Sequence, residues 1–92
     1  MQHESLDFVI SSETRLRILA FLSKDVSTPT QLAQKIEKHL SHVSRALREL
    51  EEKQLVSCMN PSYTKPRLYS LTPEGQSLIR EVERHNLRVH PV

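Results

Sequence analysis

Apolar residues recur at helical spacing in several stretches of the chain. Leu16, Leu19, Ala20 and Leu22 mark one stripe, which Ile18 and Phe21 widen. Ser11 or Ser12 supplies its N-cap, so a helix is predicted from there to about Ser23. A second helix opens at Thr28, with Pro29 in the first helical position and Gln31 three residues after the cap, the pattern of a capping box. It carries Leu32, Ala33 and Ile36. After a break at Glu37–His39, Leu40, Val43, Leu47 and Leu50 fall on one face of a third helix, which the polar run Glu51-Glu52-Lys53 ends. Val56–Met59 and Arg67–Leu71 read as two strands, joined by a loop with the turn chemistry of Asn60-Pro61-Ser62 and Lys65-Pro66. Thr72-Pro73 repeats the cap-plus-proline device and opens a last helix to about Arg88, with Leu78, Ile79 and Val82 on its apolar side. Ahead of all these, SLDFVI at residues 5–10 suits either a short helix or an extended arm.

The predicted order is helix, helix, helix, hairpin, helix, so the fold class is mainly α with a small β-hairpin. A chain of 92 residues holds one core, and 1–92 is expected to be a single domain. No long linker, repeat or low-complexity run interrupts it. Aromatic residues make up only 4% of the chain and there is no Trp, so the core must be built from Leu, Ile and Val. Cys58 is the only cysteine, which rules out an intrachain disulfide and fits a reducing compartment. It reads as a buried strand residue. No apolar run has bilayer-spanning length and the N-terminus lacks signal-peptide character, so a cytoplasmic protein without membrane association is expected.

The net charge of +2 hides an uneven distribution. Lys35, Lys38, Arg45 and Arg48 stand against Glu37 alone, and Lys65 and Arg67 stand together without an acid. Such clusters are either a solvated face or the footprint of a polyanion. On the third helix, Ser41, His42, Arg45, Arg48 and Glu49 point away from the apolar stripe, as does Lys38, and Ser44 flanks it. Two short helices joined by a tight turn, the second exposing Ser, His and Arg, form a helix-turn-helix at about 28–53. The hairpin at about 56–71, with its basic tip, takes the place of a wing. No nucleophile–base pair, Gly-rich phosphate loop or paired carboxylate suggests an enzyme. His39 and His42 are three apart, and His85 and His90 lie near the end, but no Cys or acid cluster completes a ligand set. No metal or cofactor is expected.

Three segments resemble winged-helix transcriptional regulators of the ArsR and MarR type. SSETRLRILAFL is similar to their opening helix, LAQKIEKHLSHVSRALRELEEKQLV to their helix-turn-helix, and RLYSLTPEG to the second wing strand and the start of the last helix. The likeness covers roughly residues 12–79 and lacks the metal-sensing cysteine motif of the ArsR branch. Glu37-Lys38-His39 stands where many relatives have Gly-Ile-Ser, Gln54 where they often have Gly, and Pro66 where the wing often has Gly.

The resemblance implies sequence-specific binding of double-stranded DNA by a transcriptional regulator, with repression favoured over activation. Arg45 and Arg48 would read guanine edges or neutralise phosphates, with Lys38, His39, Ser41, His42 and Ser44 beside them. Thr28, Thr30 and Gln31, at the start of the preceding helix, would hold a phosphate. Lys65 and Arg67 on the wing would meet the backbone or the adjacent minor groove. A homodimer is expected, with Leu78, Val82, His85 and Val89 of the last helix (about 73–88) as its interface. The alternative is a winged helix serving as a protein-interaction module in a transcription or scaffold complex, which would expose apolar residues on the face of residues 38–48.

Overall fold

The computed structural model describes residues 3–61 and 66–85. They form α1 (His3–Ile10), α2 (Glu13–Leu22), α3 (Pro29–Ile36), α4 (Leu40–Glu52), β1 (Val56–Cys58), β2 (Tyr69–Leu71) and α5 (Pro73–Arg84). The predicted order holds, and SLDFVI is helix rather than arm. A helix as short as α1 is marginal on its own; burial of Val9 and the half-buried Leu6 and Phe8 against the core holds it.

α2 is the central element. Ile18, Leu19 and Ala20 are almost fully buried, and the helix packs against α1, α3, α4, α5 and β2. Ser12 caps it by accepting a hydrogen bond from the Arg15 amide. α3 starts on the predicted capping box: the Gln31 amide donates to Thr28 Oγ1 at 3.1 Å, and the Thr28 amide donates to Gln31 Oε1 at 2.9 Å. Leu32, Ala33 and Ile36 of α3 and Val43, Ala46, Leu47 and Leu50 of α4 close over α2.

The hairpin is shorter than predicted. β1 and β2 pair antiparallel with Val56 opposite Leu71 and Cys58 opposite Tyr69. Past the strands, the Met59 amide still donates to the Leu68 carbonyl. The wing is also tied on its other side: Ser27 and Tyr69 exchange two backbone hydrogen bonds, at 3.2 and 2.9 Å, which sets the start of α3 beside β2. Cys58 is half-buried, not buried, because it leaves the core at the outer end of β1; its thiol lies 3.5 Å from Asn60 Oδ1.

Two apolar stripes are used differently from the expectation. Leu40 heads the α4 stripe but is 48% exposed, and the buried part of the stripe begins at Val43. On α5, Leu78 is 6% and Val82 0% exposed. Both side chains are spent inside the chain's own core, so they offer no surface to a second copy and the predicted dimer seam does not stand at these positions. His85, the C-cap of α5, is exposed and accepts or donates a 2.8 Å hydrogen bond with Glu81. Val89 lies outside the described residues.

α5 is fixed to the end of α4 by a small cluster of bonds. Thr72 Oγ1 accepts from the Gly75 amide at 3.0 Å and donates to the Gln54 carbonyl at 2.6 Å, and the Thr72 amide donates to the Leu55 carbonyl at 3.1 Å. Gly75, the only glycine of the chain, is buried against Leu55. No helix among the described residues is long and apolar enough to cross a membrane.

Candidate nucleic-acid interface

The turn between α3 and α4 is built from residues that are unusual for it. Glu37 caps α3 in the left-handed region, at φ 58° and ψ 49°, and the Lys38 amide returns to the Ala33 carbonyl at 3.1 Å. A residue with a Cβ costs about 1 kcal/mol more than glycine in that conformation. His39 stands at the N-cap of α4 with no side-chain capping bond. The amides of the first α4 turn are therefore left without a side-chain acceptor, at the positive end of the helix dipole.

Lys38, His39, Leu40, Ser41, His42, Arg45 and Arg48 are all exposed, and Ser44 is half-buried where α4 meets the core. His39 and His42 meet edge to face, with ring centroids 5.8 Å apart. Among the described residues, Lys38, Arg45 and Arg48 have no ion-pair partner, so Arg48 does not spend its charge on Glu51 or Glu52. Lys35, by contrast, is engaged: its Nζ reaches Ser27 Oγ at 3.4 Å and lies over the Phe21 ring.

Glu49 is not the free acid that its place on the helical wheel suggested. Its Oε1 accepts from Arg15 Nε at 3.1 Å and from Arg15 Nη2 at 2.9 Å. Arg15 Nη1 donates to the Phe8 carbonyl at 2.8 Å, and the guanidinium lies 3.8 Å from the Phe8 ring centroid. One side chain thus joins α1, α2 and α4, and it pairs with an acid on α4. Beside this pair, Ser12 and Thr14 of α2 and His42 and Arg45 of α4 line a groove of about 210 Å³.

At the start of α3, Thr28 is half-buried while Thr30 and Gln31 are exposed. The capping box occupies Thr28 Oγ1 and Gln31 Oε1 but leaves the Gln31 Nε2 protons and the Thr30 hydroxyl to a ligand. On the wing, Arg67 is exposed and its Nη1 reaches the Tyr69 hydroxyl at 3.5 Å. That hydrogen bond raises the Arg67 pKa above its ordinary value. The base of the wing is pinned by Asn60, whose Oδ1 accepts from the Leu68 amide at 2.8 Å and whose Nδ2 donates to the Pro66 carbonyl at 2.9 Å. Lys65 lies outside the described residues.

The structure therefore brings Lys38, His39, Ser41, His42, Arg45 and Arg48 onto one helix start and its exposed side. It sets Thr28, Thr30 and Gln31 next to the wing strand through the Ser27–Tyr69 pairing. The sequence placed Glu49 on the polar side of α4 and Asn60 in a turn, but it pointed neither to Arg15 nor to the bonds that Glu49 and Asn60 make. The Arg15–Glu49 contact spans 34 residues and leaves no local pattern.

A family model described as the HVO_A0261 N-terminal domain matches residues 3–90. The chain belongs to that family. Among curated proteins, none matches it at significant similarity. Solved structures show which fold the chain shares. ZitR of Lactococcus lactis, determined in complex with DNA, superposes with a TM-score of 0.72 at 26% identity, over 82% of this chain and 52% of that one. The adhesin competence repressor of Streptococcus pyogenes gives 0.72 at 21% identity, over 82% and 57% of the two chains. A protein described as a MarR family transcription regulator gives 0.74 at 24% identity, over 90% and 59%. The chain has the winged-helix fold of MarR-type regulators, with α3 and α4 as the helix-turn-helix and β1–β2 as the wing. These solved relatives are transcription regulators rather than enzymes, and the chain spans about half of their length.

Proposed function

We propose that this HVO_A0261 N-terminal domain family member is a transcriptional regulator that binds double-stranded DNA in a sequence-specific way, with α4 in the major groove. The observation that carries this reading is the exposed start of α4: three cations without ion-pair partners among the described residues, polar Ser41 and His42 beside them, and helix-terminal amides lacking a side-chain cap. A major groove admits a helix of this kind, and its first turns make the base contacts. ZitR, which shares the fold at 26% identity, has been solved on DNA. Arg45 and Arg48 take bases or phosphates; Lys38, His39, Ser41, His42 and Ser44 assist them. Thr28, Thr30 and Gln31 meet a phosphate at the start of α3, and Lys65 and Arg67 meet the backbone from the wing. Repression is favoured over activation, since occupying a promoter needs only the DNA contacts of α4 and the wing.

Two copies on paired half-sites would give the specificity that one short helix lacks. Such pairing uses faces other than Leu78 and Val82. The protein-interaction alternative is less well supported, because the face of residues 38–48 is dominated by basic and polar side chains with Leu40 the single apolar one.

Selection of bound sequences from a random duplex pool tests the reading. The expected result is an enriched motif repeated as an inverted pair one helical turn apart, about 10 base pairs centre to centre. Recovery of unenriched sequence would refute specific binding, and a motif present once would refute the pairing.

A further inference from the structure

Leu40 is a large apolar side chain left 48% exposed at the first position of α4. The core does not need it: Val43, Ala46, Leu47 and Leu50 already fill the seam between α4 and the rest of the molecule. It is set among Lys38, His39, Ser41 and His42, all exposed and polar or basic. An isolated apolar residue within a polar, cationic surface is poorly suited to a protein partner, which would require a contiguous apolar patch. It is well suited to a ligand that is anionic overall and carries small apolar points. The major groove of DNA is such a ligand, and its apolar points are the C5-methyl groups of thymine.

We propose that Leu40 is a specificity-determining residue that recognises thymine by packing on its C5-methyl group at one position of each half-site. This rests on the DNA-binding reading of α4. First-turn residues of a recognition helix are the ones that reach base edges. Leu40 is the first α4 residue, and the polar residues around it bind phosphate or hydrogen-bonding base atoms without competing for the methyl group. Removing the methyl should weaken binding about fourfold, the transfer free energy of one such group.

The test uses the full chain and the duplex that it selects. Each thymine of the half-site is replaced in turn by deoxyuridine, which deletes only the methyl group, and affinity is followed by fluorescence anisotropy at fixed salt. The wild-type protein is expected to lose about threefold to fivefold at one thymine per half-site and nothing at the others. Leu40→Ala should bind the thymine duplex more weakly by a similar factor and be indifferent to deoxyuridine there. Its thermal unfolding checks that it is folded, and a sequence pool selected with it should lose thymine at that position. Wild-type indifference to every deoxyuridine, a selected half-site with no thymine, or a Leu40→Ala variant that keeps the full sensitivity would each overturn the proposal while leaving DNA binding intact. Failure of the wild-type protein to bind any duplex at low salt would instead overturn the reading of α4 beneath it.

Discussion

Gly75→Ala puts the packing of the wing-to-α5 junction to a test in which two physical effects have opposite signs. Gly75 lies in the first turn of α5, where alanine is the better helix former by up to about 1 kcal/mol. Propensity alone therefore predicts a more stable protein. The tertiary structure predicts the reverse. A Cβ on Gly75 would collide with the Leu55 carbonyl oxygen, and would lie 3.1 Å from the Leu55 carbonyl carbon and 3.2 Å from Leu71 Cδ2. The oxygen belongs to backbone and cannot rotate away. It is also the acceptor of the Thr72 amide. Relief requires α5 to lift off Leu55, which strains the bonds from Thr72 to Leu55 and Gln54. Overpacking of this kind costs about 1–3 kcal/mol, and weakening these hydrogen bonds adds about 1 kcal/mol. Less the gain in propensity, the net loss is about 1–3 kcal/mol, or roughly 5–20 °C in Tm for a domain of this size. Thermal and urea unfolding followed by far-UV circular dichroism measures it, with Ser77→Ala on the exposed side of α5 as the control for propensity. A Gly75→Ala protein as stable as wild type, or more so, would refute the close approach of α5 to Leu55.

Three further substitutions probe the scaffold around the interface. Arg15→Met breaks both bonds to Glu49 and the one to Phe8; it should cost about 2 kcal/mol in urea unfolding, and weaken duplex binding because Glu49 is then an uncompensated acid near the phosphates. Restored binding in the Arg15→Met, Glu49→Gln double variant would confirm that route, and its absence would show that Arg15 acts through packing alone. Asn60→Ala removes the side-chain bonds that close the wing base; a loss of about 1–2 kcal/mol is expected, and unchanged stability would show that the backbone pairing is sufficient. Glu37→Gly should raise stability by about 0.5–1 kcal/mol by relieving the left-handed cap of α3, and a destabilised variant would mean that the Glu37 side chain contributes to the turn.

The legible parts of this fold are those governed by local rules. Thr28-Pro29 with Gln31, and Thr72-Pro73, announce helix starts through caps that the structure realises bond for bond. Gln54 is left-handed, at φ 62°, at the position where the resemblance put a frequent glycine. The errors arise where tertiary context decides. Leu40 has the right spacing for the core stripe, but spacing does not reveal that the core begins only at Val43. Leu78 and Val82 have the look of a seam, but a periodic stripe does not say whether it faces the chain's own core or a second copy. Glu49 sits on the polar side of α4 and still turns to Arg15, a residue distant in sequence. Asn60 was legible as a turn former, yet its side chain does the work of a ladder bond across the wing. The candidate site was readable as a set of exposed cations and hydroxyls on one helix. How they are held was not.

Binding of duplex DNA by the cations of α4 and the wing is tested most directly by its salt dependence. Affinity for the selected duplex is measured by fluorescence anisotropy from about 50 to 200 mM salt, where each neutralised phosphate contributes a slope of about −0.9 to log affinity against log salt. If Lys38, Arg45, Arg48 and Arg67 meet phosphates or their immediate neighbours, the slope should be about −3 to −4 or steeper. Replacing Arg67 by alanine should make it shallower by about one. An affinity that does not change with salt, or no binding at the lowest salt, would contradict the assignment of this surface to DNA.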